Sequence, residues 1–108
     1  MAKQLDPQLL REALRYEPHS GKLYWRERPL HHFTSSNAQR KWNKRYAGRA
    51  AFNTANDQGY LVGHIDGTYL RAHRVIWAML HSEWPEQIDH ENTVKSDNRQ
   101  RNLKRATN

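Results

Sequence analysis

The segment 60–80 constrains the fold of this chain more than any other part. Residues 60–65 and 68–72 alternate in polarity on either side of Asp66-Gly67. Asp-Gly between two such segments is typical of a type I′ hairpin turn, which fixes the register so that Ile65 lies opposite Thr68. From residue 72 the apolar spacing changes to that of a helix. The sequence therefore predicts a hairpin that runs directly into a core helix, whose apolar stripe comprises Ala72, Val75, Ile76, Met79 and Leu80.

The N-terminal half predicts two further helices and a strand. Asp6-Pro7 is a typical helix start, with Asp as the N-cap and Pro in the first turn, and we expect that helix to end before Pro18. Residues 19–21 read as a turn and residues 23–25 as a short strand. Ser35 or Ser36 can cap a second helix that extends to about residue 47. Residues 50–58 read as a loop, and His31-His32 as solvated loop without a carboxylate at metal-ligand spacing.

The middle helix has two interpretations. Ala38, Trp42 and Tyr46 share one face at four-residue spacing, and cationic side chains lie beside them. The aromatic face can pack against the core while its charged back is solvated, or it can contact DNA. The two interpretations are compatible with each other.

Charge is distributed in blocks of one sign. The chain of 108 residues has a formal net charge of +7, and every charged residue between Arg28 and Asn56 is basic. The segment after residue 94 is also basic, whereas every charged residue between Arg74 and Lys95 is acidic. Two basic tracts on either side of an acidic region suit a protein that holds phosphates with cations and a metal ion with carboxylates. We therefore expect a polyanionic partner, with DNA as the first candidate.

Length and composition set the remaining limits. A chain of this length is expected to form one domain with a modest core. It has no cysteine, so disulfides and thiolate zinc sites are excluded. We see no apolar run of membrane-spanning length and no signal peptide, so we expect no membrane partner and a cytoplasmic location. The sequence does not set the oligomeric state.

The most chemically informative motif lies near the end of the chain. Asp89-His90 follows an apolar residue, a polar loop comes next, and Asn102-Leu103 closes the loop. The wider pattern comprises His73-Arg74, Trp77, Pro85, Asp89-His90, Asp97-Asn98-Arg99 and Asn102-Leu103. This pattern resembles the small phage-type HNH endonucleases of the ββα-metal (His-Me finger) family. The resemblance implies a nuclease that acts on DNA.

The resemblance also implies a role for each motif residue. Asp89 would ligate one divalent metal ion, Mg²⁺ or Mn²⁺, that stabilises charge on the scissile phosphate. His90 would be the general base, since imidazole titrates near the working pH. Asn102 would brace the loop and orient the histidine through backbone hydrogen bonds. Asp97 and Asn98 suit further bracing, because short polar side chains bond nearby backbone groups readily.

The sequence departs from the family pattern at two places. The family carries a third signature residue, a His or Asn, on a helix after the second strand, and this chain stops at Asn108. We therefore expect a ββα-metal module truncated before that helix. Relatives usually have glycine in the loop after Asp-His, where this chain has Glu91-Asn92-Thr93-Val94, and glycine adopts positive φ most easily. With Asp89 as the one clear protein ligand, Mg²⁺ would be held mainly by water and phosphate.

Three functions remain open at this point. The protein can be a metal-dependent DNA endonuclease, a catalytically incomplete relative that binds DNA, or an inhibitor from a phage or mobile element that binds a nucleic-acid-handling protein. In the first two cases the basic side chains contact nucleic acid. The candidates are Arg40, Lys41, Lys44, Arg45, Arg49, Arg71, Arg74, Lys95, Arg99, Arg101, Lys104 and Arg105.

The predicted architecture is a small single α+β domain over residues 1–108. Residues 1–58 form a basic N-terminal helical part, and residues 59–86 form a short hairpin sheet packed on a core helix. Residues 87–108 form the incomplete ββα-metal module, with a strand at 87–89, a loop at 91–101 and a returning strand at 103–106.

Overall fold

The computed structural model describes residues 4–84 and 86–106 of the chain. Pro85 and Asn108, which the sequence analysis singled out, lie outside the described residues. Within these described residues, three α-helices and eight short strands follow one another, with 3₁₀ turns at Leu30–His32 and Gln100–Asn102. The elements are α1 (Pro7–Ala13), β1 (Leu14–Glu17), β2 (Lys22–Trp25), α2 (Ser36–Tyr46), β3 (Ala50–Ala51), β4 (Thr54–Ala55), β5 (Leu61–Ile65), β6 (Thr68–Arg71), α3 (Ala72–His81), β7 (Ile88–His90) and β8 (Leu103–Arg105).

The strands form three small antiparallel sheets in the orders β1-β2-β3, β4-β5-β6 and β7-β8. None of the helices in the described residues is long and apolar enough to cross a membrane. Helices and small antiparallel sheets pack around one core, so the predicted small α+β fold is confirmed.

The first helix begins as predicted and is followed by a strand that was not predicted. Asp6 caps it, because its carboxylate accepts a hydrogen bond of 2.9 Å from the backbone amide of Gln8. The helix ends at Ala13, and Leu14–Glu17 pair with β2 instead of continuing the helical turn. The helix therefore ends before Pro18, as expected, but the strand between Ala13 and Pro18 was not predicted. Leu14 fits the apolar spacing of the helix, but it is buried from a strand.

The hairpin prediction is confirmed in its register. Ile65 pairs with Thr68 and Gly63 with Leu70. Asp66 and Gly67 have φ values of 49° and 79°, the positive pair that a type I′ turn requires. The predicted loop at 50–58 is not wholly irregular, because β3 and β4 lie within it and pair with β2 and β5.

The core lies between α1, α3 and the sheets. Leu10, Val75 and Ile76 are fully buried there, and α1 packs against α3. In the apolar stripe predicted for α3, Ala72, Val75 and Ile76 are buried, Met79 is partly buried, and 38 % of Leu80 is exposed. Trp77 and His73 are buried as well. The helix ends at Ser82, which adopts a left-handed conformation.

The middle helix is capped as predicted and lies at the surface. The Ser35 hydroxyl accepts a hydrogen bond from the amide of Ala38, and none of the residues of α2 is fully buried. Trp42 nevertheless packs edge-on against Trp25, with 5.1 Å between ring centroids. The aromatic face of α2 therefore contacts the rest of the protein.

Candidate active site

The motif residues lie on the β7–β8 hairpin. Asp89 pairs with Lys104 and His90 with Leu103, and the two strands are joined by the loop 91–102. Asp89 is exposed, whereas His90 is partly buried. His90 is the last residue of β7, so the backbone changes direction immediately after it.

A buried asparagine contacts the imidazole of His90. The Nε2 atom of His90 lies 2.9 Å from the Oδ1 atom of Asn98, and only 2 % of Asn98 is exposed. An amide oxygen can only accept a hydrogen bond, so this contact places the imidazole proton on Nε2. The Nδ1 atom then carries the lone pair that a general base needs.

Two aromatic side chains complete the surroundings of His90. The ring centroid of His73 lies 5.0 Å from that of His90, and the Tyr60 ring lies 5.1 Å from His73 and 6.1 Å from His90. Burial, followed by the charges of His90, Arg71 and Arg74, lowers the pKa of His73 to about 3. His73 is therefore neutral beside His90. His73 belonged to the recognised sequence pattern, but neither it nor Tyr60 was predicted as a site residue.

Asn102 braces the loop from its far end. Its Nδ2 atom donates to the Oδ1 atom of Asn92 and to the backbone carbonyl of Asp97, and its Oδ1 atom accepts from the amide of Asn92. Its backbone carbonyl accepts from the amide of Glu91, the residue after His90. Asn102 thus holds the backbone next to the histidine, while Asn98 contacts the imidazole itself.

Asp97 connects the loop to Arg99. The carboxylate accepts two hydrogen bonds from the Arg99 guanidinium, at 2.8 and 2.6 Å, and a third from Asn92 at 2.7 Å. The hydrogen bonds from Arg99 are the largest cause that holds the pKa of Asp97 well below its usual range. This charge-assisted pairing stabilises the loop that carries Asn98.

The first hairpin supports the same loop. The Tyr16 hydroxyl donates a 2.6 Å hydrogen bond to the backbone carbonyl of Asn98, and burial, followed by the charge of Asp97, raises the pKa of Tyr16 to about 12. Gly21 lies so close that a Cβ atom there would be 2.4 Å from the backbone of Asn98 and Arg99. The amide of Gln100 also donates to the carbonyl of Pro18. The turn between β1 and β2 therefore packs directly on the loop that positions His90.

The position of the family's loop glycine is occupied by Thr93, which has a φ of 65°. A β-branched side chain in that region costs conformational energy. Thr93 therefore adopts a left-handed conformation, at the position where the resemblance implies glycine, without being the residue that adopts it most easily.

The predicted nucleic-acid-binding residues fall into two groups. Exposed cations without an ion-pair partner in the described part of the chain occur on and just after α2. They are Arg40, Lys41, Lys44, Arg45 and Arg49.

Several cations near the β7–β8 hairpin are already engaged. Lys104 pairs with Glu91 at 2.8 Å, and Arg105 pairs with Glu83. Arg71 and Lys95 lie over the Tyr60 ring, at 4.4 and 5.0 Å from its centroid. Arg74 donates to the backbone carbonyl of Glu86, and Arg99 pairs with Asp97. Arg101 is exposed.

Arg99 and Arg101 line a groove of about 740 Å³ together with Pro18, His19 and Gln100. The groove lies between the β1–β2 turn and the end of the loop. Arg101 is exposed there and free to meet a phosphate, while Arg99 remains paired with Asp97.

Asp89 is the residue of the hairpin that suits a metal ion. Its carboxylate is exposed and has no ion-pair partner within residues 4–84 and 86–106. Magnesium is commonly held by one or two carboxylates together with water and substrate phosphate. The residues therefore fit a cation whose remaining ligands are water and phosphate.

A second group of ligand-type side chains lies elsewhere. Within the described residues, Glu12, His31 and His32 are the one group of three whose ligand atoms lie within 4.8 Å of one another. The Glu12 carboxylate is 3.0 Å from His31 Nε2 and 2.8 Å from His32 Nε2, and these hydrogen bonds, that from His32 first, lower the pKa of Glu12. The prediction that the histidine pair is a solvated loop without a carboxylate partner was therefore wrong.

Hydrogen bonding decides how this group is used. Arg28 Nε donates to His32 Nδ1 at 2.9 Å, so the proton of a neutral His32 lies on Nε2 and is donated to Glu12. A metal ion bound to His32 Nε2 would require the imidazole proton to lie on Nδ1. The protonated Nδ1 and Arg28 Nε would then be two hydrogen-bond donors facing each other. In this arrangement the group is a hydrogen-bond network.

Residues 70–108 match a family model described as HNH endonuclease. The matched segment contains α3 and the β7–β8 hairpin, and therefore includes His73, Asp89, His90, Asn98 and Asn102. No curated protein and no solved structure matches the chain significantly. The resemblance to HNH-type endonucleases is confirmed over this segment, and it supports a nuclease-type function with a nucleic-acid substrate.

Proposed function

We propose that the protein is a metal-dependent HNH endonuclease that hydrolyses phosphodiester bonds of DNA. The observation that carries the proposal is the contact between His90 Nε2 and the buried Asn98 Oδ1. This contact orients the His90 imidazole and leaves its Nδ1 atom unprotonated, so that Nδ1 can accept a proton from the attacking water. His90 lies within the segment that matches the HNH family.

His90 would act as the general base. Its Nδ1 atom takes a proton from water, the water oxygen bonds to phosphorus, and the bond from phosphorus to one ester oxygen breaks. Asp89 would hold Mg²⁺ or Mn²⁺, which supplies charge stabilisation at the phosphate and at the leaving oxygen. The exposed cations on α2, together with Arg101, would bind flanking phosphates.

A catalytically incomplete, DNA-binding relative is the second candidate. One observation favours it: Asp89 is the one carboxylate of the described β7–β8 hairpin without an ion-pair partner, because Glu91 is paired with Lys104. A weakly held metal ion and unpaired cations on α2 would then leave DNA binding without cleavage.

Nicking of supercoiled plasmid separates the two candidates. The wild-type protein should convert the plasmid to open circles with Mg²⁺ or Mn²⁺, and EDTA should stop the reaction. Asp89→Asn should slow nicking by more than the roughly 10- to 100-fold typical of losing a residue that supports a metal ligand. Asp57→Asn, which changes another exposed acid, is the matched control and should retain activity.

Nicking that persists in EDTA, or an equal effect of both variants, would contradict the metal role of Asp89. No nicking together with salt-sensitive retention of plasmid DNA would support the second candidate.

A further inference from the structure

A pocket of about 360 Å³ lies between β2, α2 and the β5–β6 turn. Four aromatic side chains line it, together with His64 of β5, Asp66 of the turn and the buried Arg28. The aromatic side chains are Trp25, Phe33, Trp42 and Tyr46. The HNH motif does not use this pocket, and the family match begins after it in sequence at residue 70.

The aromatic rings are arranged around Trp42. Its ring centroid lies 5.1 Å from those of Trp25 and Tyr46 and 6.0 Å from that of Phe33. All four are only partly buried, so part of their ring surface faces the pocket. Such surfaces favour a flat, polarizable ligand that can stack.

The charges in the pocket argue against a cationic ligand. Only 3 % of Arg28 is exposed, and its guanidinium lies 5.0 Å from the Trp42 ring centroid and 5.2 Å from that of Phe33. A second cation over these rings would be repelled by Arg28. The Asp66 carboxylate accepts two 3.1 Å contacts from Arg28. Because 40 % of its side chain is exposed, it keeps further acceptor capacity.

The surroundings favour a polyanion. Tyr46 lies at the pocket, and the Arg45 guanidinium is 5.3 Å from its ring centroid. The exposed, unpaired cations of α2 continue from there along the surface, within a segment that contains no acid between Arg28 and Asn56. A partner that combines negative charge with flat rings is a nucleic acid with an unpaired base.

We propose that the pocket binds an unpaired nucleobase, stacked against Trp42 and Tyr46, while neighbouring phosphates lie on the cations of α2. A base with an exocyclic amine can also donate to Asp66. This inference rests on the proposed function, because it supplies the nuclease with a binding subsite. It implies that the substrate carries a single-stranded or flipped-out nucleotide that reaches this pocket.

Two strands of equal charge test the inference. A single-stranded DNA dodecamer and an abasic dodecamer of the same length are titrated against the full chain, and binding is followed by anisotropy of an end label. The wild-type protein should bind the strand with bases about tenfold tighter, which lies within the range for one base stacked on aromatic side chains. Binding of both strands should weaken with salt.

Tyr46→Ala should remove most of the difference in affinity between the DNA strand with bases and the abasic strand. Tyr24→Ala, at a partly buried tyrosine on β2 that does not line the pocket, should leave it unchanged. Far-ultraviolet circular dichroism checks that both variants fold. If Tyr46→Ala does not fold, His64→Ala replaces it as the test variant, because His64 is an exposed strand residue at the pocket. This variant should reduce the difference in affinity between the two strands.

Equal binding of the two strands by the wild-type protein would overturn the base pocket while leaving DNA binding and plasmid nicking intact. Equal effects of Tyr46→Ala and Tyr24→Ala would overturn it as well. So would tighter binding of poly-glutamate than of the DNA strand, which would point to an acidic protein instead. Failure to bind either strand and to nick plasmid would reject the proposed function together with the pocket.

Discussion

The helical pair α1–α3 and the loop of the β7–β8 hairpin are stabilised in different ways. The helices bury Leu10, Val75 and Ile76, and apolar burial is non-directional and roughly proportional to area. The loop instead buries Asn98 and Asn102, whose contribution depends on hydrogen bonds with fixed partners. Core substitutions should therefore change stability gradually, whereas removing one loop partner should misplace the site.

The two regions are joined through the first hairpin. Its strand β1 follows α1 directly, and the hairpin packs on the loop through Tyr16 of β1 and Gly21 of the turn. The segment that matches the HNH family thus depends on residues outside the match. Each prediction below separates the contribution of the core from that of the loop.

The largest effect should come from Gly21→Ala. A Cβ atom at this position would lie 2.4 Å from backbone atoms of Asn98 and Arg99, at a φ of +78°. Overpacking and left-handed strain together should reduce the free energy of unfolding by about 2–4 kcal/mol, as measured by urea denaturation. The same change should reduce plasmid nicking, because the loop must move.

Gly48→Ala is the matched control. Its φ is +86°, but no heavy atom lies within 4 Å of the added Cβ. Gly48→Ala should reduce the free energy of unfolding by about 1–2 kcal/mol, because only the left-handed backbone conformation is strained. Plasmid nicking should be unchanged. Equal losses from the two variants would mean that packing of the turn on the loop is unimportant.

A pH-dependent effect should come from His73. Its pKa is lowered to about 3 in the folded protein, below the value of about 6.5 for an unperturbed histidine, so the unfolded chain binds more protons between these values. The stability contribution of neutral His73 is complete above about pH 6.5 and is lost as the pH falls towards 3. The slope should reach about 1.4 kcal/mol per pH unit.

Urea denaturation of wild type and His73→Phe between about pH 6 and 4.5 measures this slope, above the range in which Asp97 titrates. The variant should lose most of the dependence, since a phenyl ring can stack on Tyr60 without a proton. His81→Phe changes an exposed histidine and should keep the slope. A wild-type stability that is flat over this range would contradict a neutral, buried His73.

The smallest effect should come from Thr93→Gly. Thr93 has a φ of 65°, where glycine avoids the steric cost of a side chain. We expect a gain of about 1 kcal/mol in the free energy of unfolding, reduced by the greater entropy of glycine in the unfolded chain. Thr93→Asn should keep part of the gain, because Asn tolerates this conformation. A loss of stability in both variants would show that the threonine side chain contributes more than its strain costs.

Local signals in the sequence predicted local structure well. The Asp66-Gly67 turn and the Ser35 cap depend on residues that are neighbours in sequence. The family resemblance implied that Asn102 braces the loop, and the short polar side chains of Asp97 and Asn98 suggested further bracing; all three residues make hydrogen bonds in or beside the loop.

Contacts between distant residues were not predictable in the same way. Glu12 meets the histidine pair from 19 and 20 residues away, and Tyr16 meets Asn98 from 82 residues away. Leu14 continued the helical spacing of α1, and only pairing with β2 places it on a strand. The sequence contains no pattern for such contacts, because they follow from how the elements pack.

Plasmid nicking by His90→Ala tests the central claim most directly. If Asn98 holds His90 as the general base, this variant should fold like the wild type and nick about 10²–10⁴ times more slowly in saturating Mg²⁺ or Mn²⁺, while His81→Ala keeps the wild-type rate. A folded His90→Ala protein that nicks as fast as the wild type would contradict the assignment of His90 as the catalytic base.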